Sequence, residues 1–159
     1  MNRAKTICLS LAILAALGGA LYLWKYGEWV AIPKAREHLV SLLRDPASAQ
    51  TRNERITAAG VLCGEVNAKN GMGGYIGFRK FISYGPNSNY VEGSGLLNEA
   101  SLDDFIVRVQ RKTEILKAQN ARLEQGNVES TYSERQLNDM ATEQIFQDKW
   151  DESCASKQA

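Results

Sequence analysis

An uncharged apolar run extends from Thr6 to Trp24, preceded by Met-Asn-Arg-Ala-Lys and closed by Lys25. About 18 to 20 such residues in a helix cross a hydrocarbon core about 30 Å thick, so the run predicts an N-terminal transmembrane helix. Tyr22, Trp24, Tyr26 and Trp29 gather at its end, where amphipathic rings favour the membrane–water interface, and this points to a retained anchor. A cleaved secretion signal is the alternative, because Arg3 and Lys5 precede the apolar core and the small residues Gly18 and Ala20 offer a cleavage point. Arg3 and Lys5 on one flank face Lys25, Lys34, Arg36 and Arg44 on the other, so the positive-inside rule leaves the sidedness open.

Behind this run, the 159-residue chain has room for one domain. The predicted organisation is an anchor and juxtamembrane segment over 1–32, with the membrane contacted through residues 6–24, and a single α+β soluble domain over 33–159. A net charge of +1 with interspersed acidic and basic residues gives no field that would steer the chain to nucleic acid. Outside the apolar run the cysteines are Cys63 and Cys154, an even pair whose bridging would stabilise a small domain. A bridge implies an oxidising compartment. The expected location is therefore the bacterial inner membrane as a single-pass protein with its domain in the periplasm, or the periplasm itself after signal cleavage. Two free thiols are the other reading of the same pair.

Pro33 to Arg44 reads as a short helix, with Pro33 in the first turn and Ala35, Leu39, Leu42 and Leu43 as its apolar stripe. Asp45 to Ala49 reads as a capped turn that leads into a polar loop from Thr51 to Arg55. Ile56 to Val66 then reads as one strand interrupted by Gly60 and Gly64, Tyr75 to Tyr84 as a second, and Tyr90 to Glu92 as a short third. Asn70 to Gly74 and Gly85 to Asn89 have the chemistry of the intervening turns. Ser101 with Asp104 and Ser133 with Gln136 are capping-box pairs that open two helices, one running to Gly126 and one to about Ser153. The predicted fold class is α+β: an N-terminal transmembrane helix, a three-stranded antiparallel meander, and two or three helices. The two long helices read first as core packing on the meander; a sharper reading offers part of the pair to a protein partner.

Two segments carry the most specific pattern, Asp45-Pro46-Ala47-Ser48-Ala49-Gln50-Thr51-Arg52-Asn53 and Cys63-Gly64-Glu65-Val66-Asn67-Ala68-Lys69-Asn70-Gly71-Met72-Gly73-Gly74-Tyr75-Ile76-Gly77-Phe78. Together they resemble a family of small, uncharacterised bacterial and phage-borne envelope proteins in which a DP-x-SA-x-x-RN segment precedes a CGEVNAKN-x-x-GGY-x-GF segment. The resemblance spans roughly Leu43 to Phe81 and departs at Thr51, where the pattern has an aromatic residue. It implies an envelope setting, usually behind a signal or lipoprotein leader, and implies no activity. The helical region after Ser101 lies outside it.

Cys63, Glu65, Asn67 and Lys69 share one parity, so on an extended strand they project from one face. With Asn70, Tyr75, Arg79 and the glycine loop they form a candidate small-ligand or anion site; the bland reading is a solvated strand face whose Asn side chains bond their own backbone. No Walker or dinucleotide fingerprint occurs, so no cofactor is expected. The single histidine, His38, falls short of a metal set with two cysteines, and Leu62-Cys63-Gly64 lacks the context of a nucleophilic cysteine. No metal and no catalytic residue is nominated. The expected function is therefore a membrane-anchored envelope module that binds a protein or envelope component without catalysis. The alternatives are a ligand-binding or hydrolytic domain centred on the 63–79 hairpin, and a phage-derived accessory factor acting on host envelope machinery.

Overall fold

The computed structural model describes residues 14–22, 25–98, 100–126 and 131–155. The architecture is α+β around a five-stranded antiparallel sheet whose spatial order follows the chain: β1 (Gln50–Ile56), β2 (Leu62–Asn67), β3 (Arg79–Ser83), β4 (Asn89–Val91) and β5 (Gly95–Leu96). Its α-helices are α1 (Ile32–Ser41), α2 (Leu102–Glu124) and α3 (Glu134–Ser153).

The sheet corrects the three-stranded meander expected from the sequence. The stretch from Ile56 to Val66 is not one strand, because Thr57 N–H donates to Val61 O at 2.9 Å and Gly60 N–H returns to Thr57 O at 2.9 Å, with Gly60 at φ 80. This turn separates β1 from β2. β1 covers the segment expected to be a polar loop: as an edge strand it carries Arg52, Glu54 and Arg55, and charged side chains discourage pairing with other chains. Its register with β2 shifts between Arg52 and Arg55, where Asn53 takes a left-handed φ of 54, forming a bulge. β5 has only two residues and so leaves no alternation to read.

The predicted transmembrane helix is also corrected: no described helix is long and apolar enough to cross a membrane. Residues 14–22 are helical with Leu14, Leu17 and Leu21 exposed. Residues 6–13 and 23–24 of the expected span lie outside the described residues. Further on, a π-helical turn, Gly27–Ala31, precedes α1. Pro33 supplies the reason: it has no N–H to give and its ring crowds the carbonyl four residues back, so a wider turn relieves the contact.

β2 is covered on both faces. Leu62 and Val66 point to one side, where they join Phe81 and Val91 of the neighbouring strands beneath Leu39, Ile32 and Ala35 of α1. Cys63 points to the other side, where Ile82, Tyr90 and Val61 meet Phe146, Trp150 and Cys154 at the α3 end. α3 changes partner along its length, since Leu137 and Ala141 in its first half pack on Ile115 of α2. Both long helices begin at the capping boxes read from the sequence, Ser101 with Asp104 and Ser133 with Gln136.

Two tight constraints hold this arrangement. A Cβ at Gly64 would stand 2.9 Å from the Phe81 ring and 3.2 Å from Arg52 O, so the bare backbone of β2 lets that ring lie across it. Cys63 and Cys154 are joined, with sulfurs 2.00 Å and Cα atoms 5.8 Å apart, across 91 residues of chain. Gly64→Ala is expected to lower stability by about 1 to 3 kcal/mol in urea denaturation, as overpacking of a filled core does. Closing a loop of this length removes enough unfolded-chain entropy that Cys63→Ala with Cys154→Ala should lower stability by about 4 to 5 kcal/mol. Mass spectrometry without reductant should find both thiols closed to alkylation.

Candidate functional site

The two sequence segments that carry the family resemblance meet in space, and their polar groups hold one another. Ser48, in the 3-10 turn Pro46–Ser48, donates its hydroxyl to Asp45 O at 2.9 Å and accepts from Lys69 N–H at 3.0 Å. Tyr75 OH donates to Ser48 O at 3.3 Å and accepts from Gln50 Nε2 at 3.4 Å. Arg52 stacks 3.9 Å over Phe78 and donates to Glu65, which also accepts from Asn53 Nδ2 at 3.0 Å. Hydrogen bonding from Arg52, and secondarily its charge, holds the Glu65 carboxyl below the usual glutamate range. Thr51, where the family pattern has an aromatic residue, instead accepts from Arg36 of α1 at 3.1 Å.

The predicted site residues are thus brought near one another without forming a ligand cradle. Asn67 is buried and accepts from Gly77 N–H at 3.0 Å. Asn70 accepts from Met72 N–H at 2.9 Å and Gly74 N–H at 3.1 Å, which is the self-bonding turn chemistry. Lys69 Nζ sits 5.6 Å over the Tyr75 ring, and Arg79 donates to Glu92 O at 3.3 Å on the far side of β3. Asn70 borders an open depression with Arg44, Asp45 and Met72. Glu65 and Asn67 share the parity read from the sequence, and the face they lie on is mixed: α3 covers Cys63 and Asn67 is buried, while Glu65 stays partly exposed. Cys63 is bridged, and α1, which carries His38, packs on the opposite face, so the two do not form a thiol–imidazole pair.

A better-formed concavity lies where α2, α3 and the β4–β5 turn converge, a groove of about 220 Å3. Its floor is Tyr90 and Leu96, its apolar walls are Val107 and Ile145, and its polar rim includes Asp104, Arg108 and Lys149. The walls approach closely because Gly95, at φ 71, has no side chain: a Cβ there would stand 2.6 Å from Thr142 Cγ2 of α3. Asp104 accepts three hydrogen bonds. Its Oδ2 accepts from Ser101 N–H at 3.0 Å and Ser101 Oγ at 2.7 Å, and its Oδ1 accepts from Tyr90 OH at 3.3 Å. These bonds, Ser101's foremost, hold its carboxyl below the usual aspartate value of 3.8, with Lys149 adding a smaller electrostatic pull.

The cations are differently placed. Lys149 Nζ lies 4.8 Å from the Tyr90 ring and 5.6 Å from the Tyr84 ring, which orient it without neutralising it. Arg108 is half-buried and has no ion-pair partner among the described residues. The groove therefore presents Arg108, without an ion-pair partner among the described residues, and Lys149, whose charge already acts on Asp104, beside the apolar side chains of Leu96, Val107 and Ile145. Neither cation stands out in the sequence. The available signal was the mixing of charge with apolar residues on inward faces, at Asp104, Val107 and Arg108 on one helix and Thr142, Ile145 and Lys149 on the other.

No protein-family model, curated protein or solved structure matches the chain.

Asp104 sets a pH dependence. Its folded pKa is depressed, so its contribution to stability is fully present above the ordinary value of 3.8 and is lost as pH falls through the lower folded value. The stability gap between the natural chain and Asp104→Ala, measured by urea denaturation, should be constant near neutrality and shrink as the pH is taken below 3.8.

Proposed function

We propose that the chain is a non-catalytic binding module working in an oxidising compartment, the bacterial periplasm, and that its groove receives an anionic group carried on a small apolar body, as displayed by a protein or another envelope component. The observation that carries this reading is the half-buried, unpaired Arg108 beside Lys149 above Leu96, Val107 and Ile145. A guanidinium offers a planar fork of donors that matches a carboxylate, and partial burial strengthens the pairing. Small-ligand sites combine apolar side chains with placed polar groups, and here Leu96, Val107 and Ile145 stand beside Asp104, Arg108 and Lys149 in a mainly polar lining.

The compartment is supported by the Cys63–Cys154 bridge, which a reducing cytosol would not favour. The absence of catalysis is supported by how the reactive groups are placed. Cys63 is consumed in the bridge, and the hydroxyls that line the groove, Ser94 and Thr142, are separated by the sheet from α1 and its His38. The anion-binding alternative is thereby moved from the 63–79 hairpin, whose polar groups are engaged in the fold, to the groove.

Titration of the full chain with isovalerate, followed by amide chemical shifts, should move the signals of Ser94, Gly95 and Leu96, while isobutylamine should move none. Arg108→Ala and Lys149→Ala should each weaken the effect about tenfold, the loss of one charge-assisted bond. An isovalerate response that is absent, or unchanged in both variants, removes the groove as an anion site.

A further inference from the structure

α2 meets the rest of the fold along one side only. Ile115 and Gln119 are buried towards α3, and Asp104 and Arg108 line the groove. On the adjoining side Leu102, Phe105, Ile106, Val109 and Leu116 recur at helical intervals and remain in solvent, Leu102 at 74% and Phe105 at 60% exposure. Scattered apolar residues are ordinary on a surface, but the run Leu102, Phe105, Ile106 and Val109, taken up again at Leu116 beyond Lys112 and Thr113, is a larger grouping than that. Along one border of the row Asp103, Gln110 and Lys117 follow one another at seven-residue steps, all exposed. Neither Asp103 nor Lys117 has an ion-pair partner among the described residues. A shallow depression on the same border is lined by Val109, Gln110, Thr113, Glu114 and Lys117.

We propose that this face is covered by α2 of a second copy of the chain, the two helices lying antiparallel about a two-fold axis near Val109 and Gln110. Under that operator Leu102 of each copy meets Leu116 of the other, and Val109 meets its own counterpart, filling the depression. Asp103 and Lys117 lie equally far on either side of Gln110, about 10 Å along the helix, so each carboxylate comes beside the opposite copy's ammonium. A parallel pairing would set like charges against each other, and the mixed-sign border is equally unsuited to an anionic lipid surface. The contact is isologous, as closed dimers require, and joins two α2–α3 hairpins into a four-helix arrangement. It is independent of the groove, which opens on a different side of α2.

The test is sedimentation velocity of the full chain in dilute detergent, which keeps the apolar N-terminal run dispersed. Asp103→Lys and Lys117→Asp should each weaken dimerisation about tenfold, and the double swap should return it to within about threefold of the natural chain. Ile106→Glu should abolish the dimer. Because the swapped residues are exposed, recovery in the double variant separates a broken contact from a damaged fold. A chain that stays monomeric up to about 0.5 mM, far above the micromolar range of a specific contact, overturns the proposal. So does a dimer indifferent to the swaps, or a monomer whose row binds anionic vesicles and loses that binding in Ile106→Glu.

Discussion

The bond between Cys63 and Cys154 determines where the helical hairpin can be. Cys63 lies in the middle of the sheet, on the second strand, while Cys154 is the residue that ends α3, so the bridge clamps the end of one layer to the centre of another. Other contacts gather at the same point. Arg55 donates to Cys154 O, Tyr84 OH and Ser153 Oγ lie 2.9 Å apart, and Phe146 and Trp150 stack one turn earlier against the same sheet face. α2 is held at its own start by the Tyr90–Asp104 bond. The hairpin is thus gripped where α2 begins and α3 ends, and further out it relies on a separate small cluster of Ile115, Leu137 and Ala141. A groove with defined walls follows from that grip, since its rim residues come from both helices and from the turn between β4 and β5.

Covering β2 on both faces buries Asn67, while Glu65 and Arg52 at its edge stay partly exposed. A buried polar group is tolerated when it finds a partner. Here the partners are close in sequence: Asn67 serves Gly77 N–H, Asn70 closes its own loop, and Glu65 is met by Arg52 and Asn53 across the bulge. Ser48 ties the segment before the sheet to the end of β2 through Lys69 N–H. The polar residues of the 45–53 and 63–78 segments are therefore largely occupied in holding the sheet and its turns together.

How much of this was legible depends on the range of the physics. Capping boxes act over three residues, and both Ser101 and Ser133 start helices as their spacing indicates. The even cysteine pair indicated a bridge, and the sulfurs are joined. Alternation placed Cys63, Glu65 and Asn67 on one face, but what covers that face is Phe146 and Trp150, some eighty residues later in the chain, and no local pattern reports that. β1 was hidden for the opposite reason: an edge strand with a bulge has no apolar face to announce it. The apolar N-terminal run was read by its composition, whereas the described helices do not provide a span of the needed length. The groove was illegible because β4, α2 and α3 contribute to it from separate parts of the chain, and its cations are unremarkable until they are found without partners.

α2 shows how these constraints divide the molecule. The helix is not amphipathic in the simple sense, because Ile115 and Gln119 alone are buried towards α3, Asp104 and Arg108 line the groove, and an apolar strip faces solvent. α3 has a comparable split, turning Leu137 and Ala141 to α2 and Phe146 and Trp150 to the sheet, but both of its strips are buried. Of the two long helices, α2 is the one that keeps an apolar strip uncovered. Burying such a strip is favourable by about 25 cal/mol for each Å2 removed from water, a drive that acts on any self-complementary surface. The segments before Phe81 thus build the sheet and its turns, while the groove is shared between the β4–β5 turn and the two long helices and the bare strip belongs to α2. If the proposed binding holds, changes on the helices would alter what is bound without disturbing the polar contacts around β2.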